Sequence, residues 1–328
     1  MVSNERDLAK LLAADEPRVD TASGLQRFRE SVATRAVQPY RAPQRRWLLQ
    51  ATAAAATVAI LFTGLTVTGL AESFFTIFQP KQVAPVVIGS GDLASLPELS
   101  DYGTIQVITE PDRGQVQTLE QAQAATGIAP LRPVLVPTGV TGDPVIYTIS
   151  RGEGTFRFDE TKLAASADRV SRTPPPMPAS VAASTLHVSG GPAVVQSYGG
   201  SFDPSEVDPK TGTGMPALLI AQSRAPVIRS DGATFDELRA FLLAQPGISP
   251  RLAQQIRAIG DPSETLLVPI PLDFATGKEV AVRGTRGVVV GDSTGIGGAV
   301  VWVADGIVHV VAGSFSENEL LQVANSLR

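Results

Sequence analysis

Cysteine is missing altogether from the 328 residues, and that absence removes disulfide scaffolds, thiolate zinc sites and cysteine nucleophiles together. A chain of this length can bury enough surface to fold without covalent staples, so the lack of cysteine does not argue against an extracytoplasmic location. Aromatic residues are scarce, at 5%, and the core must therefore rest on Val, Leu, Ile and Ala. Histidine occurs twice, at His187 and His309; both stand in strand-like surroundings, and the nearby carboxylates lack the spacing of metal ligands.

Positive charge is also in short supply, with a formal net charge of −5. The deficit is uneven. Residues 1–46 hold nine Lys/Arg against six Asp/Glu, a net +3, which leaves −8 for the rest. An acidic remainder has no electrostatic footprint for nucleic acid, so no nucleic-acid partner is expected.

The chain does have one long apolar run. From Trp47 to Ala71 there are 25 residues without a charge, including Ile60, Leu61, Phe62, Leu65 and Leu70. At about 1.5 Å per residue, a helix of that length exceeds the roughly 30 Å hydrocarbon core of a bilayer. Arg41, Arg45 and Arg46 precede it and Glu72 comes directly after, which by the positive-inside bias puts the N-terminus in the cytoplasm. The expected localisation is the cell membrane, single-pass, with the C-terminal part extracytoplasmic. Two alternatives stand beside this. Gly69-Leu70-Ala71 is a passable signal-peptidase site, although the leader is long for one, and the Ala- and Thr-diluted run also suits a buried core helix.

The spacing divides the chain into a helical tail over 1–46, the apolar helix over 47–71, a Pro-, Gly- and Ser-rich linker over 72–103, and an α+β domain over 104–328. In the tail, Leu8, Leu11 and Leu12 share one helical face, and Leu25, Phe28 and Val32 share another. Leu8, Leu12, Leu25 and Phe28 are the expected contacts for a cytoplasmic partner. In the domain, Thr118-Leu119-Glu120-Gln121, Thr234-Phe235-Asp236-Glu237 and Ser316-Glu317-Asn318-Glu319 are capping boxes. Ser249-Pro250 starts a further helix. Val134–Val136, Val145–Ile149, Thr155–Phe158 and Ala193–Tyr198 read as strands, as do Ala299–Ala304 and Ile307–Val311 joined by the hairpin turn Asp305-Gly306. Leu320, Val323, Ala324 and Leu327 form one apolar face of the last helix. The expected fold class is α+β, an antiparallel sheet with helices packed on it.

The closing stretch, from Val300-Val301-Trp302 through Asp305-Gly306 and Val311-Ala312-Gly313 to Glu319-Leu320-Leu321-Gln322-Val323-Ala324-Asn325-Ser326-Leu327, resembles a C-terminal domain of unknown function. That domain is found in bacterial membrane-anchored proteins and lipoproteins, beside or within anti-sigma factors. Phe78-Gln79-Pro80 and Val136-Pro137-Thr138-Gly139 are similar to it as well. The resemblance implies an extracytoplasmic sensing or binding module and brings no catalytic residues or cofactor. It implies a sigma factor as partner of the tail, although the zinc motif usual in anti-sigma factors needs His and Cys, and residues 1–46 contain neither.

Three patterns suggest chemistry and fall short of it. Gly291-Asp292-Ser293-Thr294-Gly295 matches a nucleophile elbow, with Asp305 and His309 in the right order after it. The pattern runs into a glycine-rich turn and another strand, where the chemistry needs a helix. Asp203, Glu206 and Asp208 form an acidic loop without EF-hand spacing. Thr276-Gly277-Lys278 resembles the end of a phosphate loop, yet the glycine required five residues before Gly277 is Leu272. No catalytic, metal or cofactor site is expected. The leading expectation is a membrane-anchored binding or sensing protein with an unknown extracytoplasmic ligand; the alternative is an envelope structural or chaperone-like protein with an inert tail.

Overall fold

In a computed structural model, the residues described are 74–96, 98–166, 173–203, 215–273, 275–292, 295 and 297–328. The chain divides into two units, Met1–Trp47 and Leu48–Arg328, and everything described belongs to the second.

Fifteen strands are formed by these residues. β1 (Phe75–Phe78), β2 (Gln82–Ile88), β3 (Gly103–Thr109), β4 (Arg113–Val116), β5 (Val145–Ile149), β6 (Gly152–Phe158), β7 (Thr185–Gly190) and β8 (Ala193–Tyr198) come first. After them come β9 (Leu218–Arg224), β10 (Val227–Ser230), β11 (Thr265–Pro271), β12 (Ala275–Val282), β13 (Thr285–Asp292), β14 (Gly298–Ala304) and β15 (Ile307–Gly313). The helices are α1 (Ser90–Ser95), α2 (Leu119–Thr126), α3 (Glu160–Ser166), α4 (Ala179–Ala182), α5 (Phe235–Leu243), α6 (Pro250–Arg257) and α7 (Glu317–Ser326).

The larger sheet has eight strands in the order β12-β13-β14-β15-β9-β8-β5-β4, every neighbour antiparallel. Its central strands are buried on both faces, which explains why β14 and β15 read as nearly continuous apolar runs rather than alternating ones. Val288, Val290, Val301, Val303, Val308 and Val310 point to one face, where Val83, Val268 and Ile270 of the parallel ribbon β2–β11 pack on them. Val289, Val300, Trp302 and Val311 point to the other, beneath Leu320, Val323, Ala324 and Leu327 of α7. Farther along that face, α2 lays Leu119 and Ala122 on Ile146 and Val194. A second sheet, β1-β10-β7-β6-β3, is also antiparallel and presses Phe156, Phe158 and Ile77 against Leu163, Val181, Leu238 and Phe241 of α3, α4 and α5.

Local chemistry sets the helix ends. Thr118, Thr234 and Ser316 each close a capping box, Ser249 caps α6 ahead of Pro250, and Gly127 ends α2 at φ 66°, a left-handed conformation that glycine adopts without a Cβ penalty.

The structure corrects the expected fold class and localisation. Strands dominate over helices, in antiparallel sheets apart from the β2–β11 pair. No helix among the described residues is long and apolar enough to cross a membrane: α7, the longest in the described part of the chain, has ten residues against the roughly 20 a bilayer requires. Single-pass anchoring, and with it the assignment of the domain to the outside of a membrane, therefore has no support from the fold. Trp47, Ile60, Leu61, Phe62, Leu65 and Leu70, the topology residues Arg41, Arg45 and Arg46, and the tail residues Leu8, Leu12, Leu25 and Phe28 all lie outside the described residues. The linker reading of 72–103 also gives way, because β1, β2 and α1 occupy much of it. Pro85 disguises β2 in the sequence; it is tolerated there because β2 pairs on one side only, with β11, and an edge strand can spare an N–H. Val134–Val136, expected as a strand, forms none.

Candidate binding surface

On the face of the large sheet that carries α2 and α7, the register sets Trp302, His309, Gln222, Val194 and Thr148 side by side on five successive strands. Gly287 stands next to Trp302 in this row, where a Cβ would run into Val282. The His309 ring stacks on the Trp302 ring at 4.8 Å with an interplanar angle of 7°. Burial, seconded by the nearby Arg283 charge, lowers its pKa to about 4. The imidazole is thus neutral, and its Nδ1 has no hydrogen-bond partner.

Between α2 and α7 the segment 128–137 crosses the sheet without joining it. It is held by side chains reaching up from the sheet. The buried Gln222 accepts from Leu131 N–H through Oε1 at 2.6 Å, and the buried Gln196 donates through Nε2 to the Leu131 carbonyl at 2.8 Å. Tyr198, whose hydroxyl burial pushes up to about 12, donates to Gln196 Oε1 at 3.3 Å. Both backbone groups of Leu131 are thereby satisfied inside the protein, as buried polar groups must be. Arg132 and Arg328 then exchange backbone hydrogen bonds of 2.7 and 2.9 Å, and Leu135 N–H donates to Ser326 Oγ at 3.1 Å.

The result is a strap tied down at Leu131, Arg132 and Leu135 that exposes apolar side chains: Val134 is 57% exposed, Leu135 58% and Val136 45%. Pro133 and Pro137 bracket them; each lacks the N–H that a ladder needs, which is why these residues do not form the strand their composition suggests. Leu135 faces α7 across an open depression of about 500 Å³, lined also by Asn318, Leu321, Gln322, Asn325 and Ser326. Among the described residues, no charged side chain lines it. Asn325 is occupied, accepting from Arg283 N–H at 2.8 Å and donating to the Leu321 carbonyl at 3.0 Å. Asn318 and Gln322 are exposed, and their side-chain carboxamides have no hydrogen-bond partner among the described residues.

Among the described residues, the sequence candidates do not come together. His187 lies in β7 of the five-stranded sheet and His309 in β15 of the eight-stranded one. Asp305 occupies the β14–β15 turn with φ 52°, and Gly306 beside it has φ 72°. Ser293 falls outside the described residues; β13 and β14 pair as antiparallel neighbours as far as Gly291 and Gly298, so the element after the motif is a strand where a nucleophile elbow would feed a helix. Asp203 lies 3.9 Å from Arg113, and Glu206 and Asp208 lie outside the described residues. Gly277 is part of the edge strand β12, where the side chain of Ile270 fills the space a Cβ would take. Among the described residues, no group of three or more His, Cys, Asp or Glu could hold a metal ion.

Sequence reasoning misses the strap and finds half of the depression. The helix is legible, but the docking of 128–137 depends on Gln196 and Gln222, two glutamines inside apolar strands, and those are the one signal the sequence offers. No family model matches the chain, and no curated protein matches it.

Proposed function

We propose that this unit is a non-catalytic binding module whose strap-and-helix depression takes an extended, uncharged polypeptide segment. The observation that carries the reading is the fixed, exposed Val134-Leu135-Val136 strap beside the unpartnered carboxamides of Asn318 and Gln322. Apolar side chains displayed on a rigid element offer a ligand surface to bury, and a carboxamide can donate to a peptide carbonyl and accept from a peptide N–H at once. The spacing fits the ligand. Four residues of helix separate Asn318 from Gln322 by about 6 Å, close to the roughly 6.6 Å between alternate residues of an extended chain. A lining without charge favours neutral side chains over charged ones, which would lose water without gaining a partner.

The test is a fluorescence-anisotropy titration with a fluorescein-labelled, end-capped heptapeptide of alternating Ser and Leu. A heptapeptide of alternating Lys and Glu serves as the control. The Ser–Leu peptide should bind and the charged one should not. Leu135→Asp should weaken binding at least about tenfold, and Gln322→Ala about three- to tenfold, the worth of one hydrogen bond. Equal affinity for both peptides, or an affinity unmoved by Leu135→Asp, would overturn the proposal.

A further inference from the structure

The edges of the sheets differ in how they are protected. β1 and β4 are four residues long, β12 carries Lys278 and Glu279, and β2 and β11 contain Pro85, Pro269 and Pro271. Short length, charge and proline are the usual means of keeping an edge from pairing with another chain. β3 has none of these three; its one irregularity is a bulge that begins after Val107, between Val107 and Thr109, and the stretch from Gly103 to Val107 is regular. The strand is seven residues long, Gly-Thr-Ile-Gln-Val-Ile-Thr from Gly103, without charge or proline. It ends the five-stranded sheet, and Ile105 and Val107 are 46% and 47% exposed there.

The hydrogen-bonding phase shows which backbone groups are free. Gly103 is paired with Phe158 and Thr104 with Arg157, and Asp159 N–H donates to the Tyr102 carbonyl at 2.9 Å. The backbone of Tyr102 thus faces β6, and by the alternation of an antiparallel ladder so does that of Thr104 and Gln106. Gly103, Ile105 and Val107 turn theirs outward. The Gly103 carbonyl is taken by Lys162 Nζ at 3.0 Å. Among the described residues nothing pairs with the outward N–H and C=O groups of Ile105 and Val107, and their apolar side chains share one face of the strand.

We propose that β3 is a self-association edge, pairing antiparallel with β3 of a second copy about a twofold axis through Gln106. In that register Ile105 stands opposite Val107 of the second copy, and Val107 opposite its Ile105. Each pair exchanges two backbone hydrogen bonds, so all four outward groups of each strand are satisfied. The same pairing sets apolar side chain against apolar side chain on one face and Gln106 against Gln106 on the other, as an isologous interface requires. The two five-stranded sheets become one of ten strands.

The absence of cysteine makes the test clean. At a non-hydrogen-bonded antiparallel pair the Cα atoms lie about 4.5 Å apart, within disulfide reach. In the full chain, Gln106→Cys should therefore give a covalent dimer on mild oxidation with copper phenanthroline. Thr104→Cys points to the same face but sits about four residues, roughly 13 Å, from its counterpart, and should remain monomeric on non-reducing electrophoresis. Sedimentation should show the wild type as a dimer and Val107→Pro, which removes an outward N–H alone, as a monomer with an unchanged circular dichroism spectrum. A monomeric wild type, cross-linking of both cysteine variants or of neither, or a Val107→Pro dimer would each overturn the proposal.

Discussion

Lowering the pH from 7 to 4 should destabilise the domain by a specific amount through His309 alone. His309 is 7% exposed and its ring is stacked on Trp302; its pKa in the folded protein is lowered to about 4 from an unfolded value of about 6.5. Between those two values the unfolded chain takes up a proton that the folded chain refuses. Stability contributed by the neutral ring is therefore fully present above about pH 6.5 and is lost as the pH falls toward 4. The shift corresponds to about 3 kcal/mol over that window, a large share of the roughly 5–15 kcal/mol typical of a domain. Urea unfolding of wild type and His309→Phe at pH 7, 5.5 and 4 isolates the effect. Phenylalanine keeps a flat ring against Trp302 and cannot titrate, and the carboxylates contribute equally to both proteins. The wild type should lose about 3 kcal/mol more than the variant between pH 7 and pH 4. Parallel pH profiles for the two proteins would refute the buried neutral histidine.

Leu320 has no exposed surface, so Leu320→Ala should cost about 2–5 kcal/mol in urea unfolding, while Gln322→Ala on the exposed side of α7 should leave stability within about 0.5 kcal/mol. Gln222→Leu removes the acceptor of the Leu131 N–H; it should cost about 1–3 kcal/mol and speed hydrogen exchange at Leu131 while leaving exchange in β14 unchanged.

Much of the C-terminal half is legible in the sequence, for physical reasons that can be named. The capping boxes at Thr234 and Ser316 and the Asp305-Gly306 turn are local devices, written in adjacent residues. The apolar face of α7 is a periodicity within ten residues. The parts that stay hidden depend on distant stretches of the chain. β2 is a strand because β11, nearly two hundred residues later, offers it a parallel partner, and its proline conceals that. The strap is fixed by Gln196 and Gln222, whose roles are invisible until β8 and β9 lie side by side. The apolar run at 47–71 reads as a membrane helix by length and charge alone, and the fold of the described residues gives that reading no support.

Binding of a neutral extended peptide in the Leu135–α7 depression is tested most directly by two-dimensional NMR of the side-chain amides, because Asn318 and Gln322 are the two carboxamides left free at the site. On titration with the Ser–Leu heptapeptide, their NH₂ resonances and the Leu135 backbone amide should shift together and saturate with the anisotropy midpoint. Those of Gln196 and Gln222, already occupied by Leu131, should stay in place. Binding that moves other regions and leaves Asn318, Gln322 and Leu135 unchanged would contradict the assignment of this depression as the peptide site.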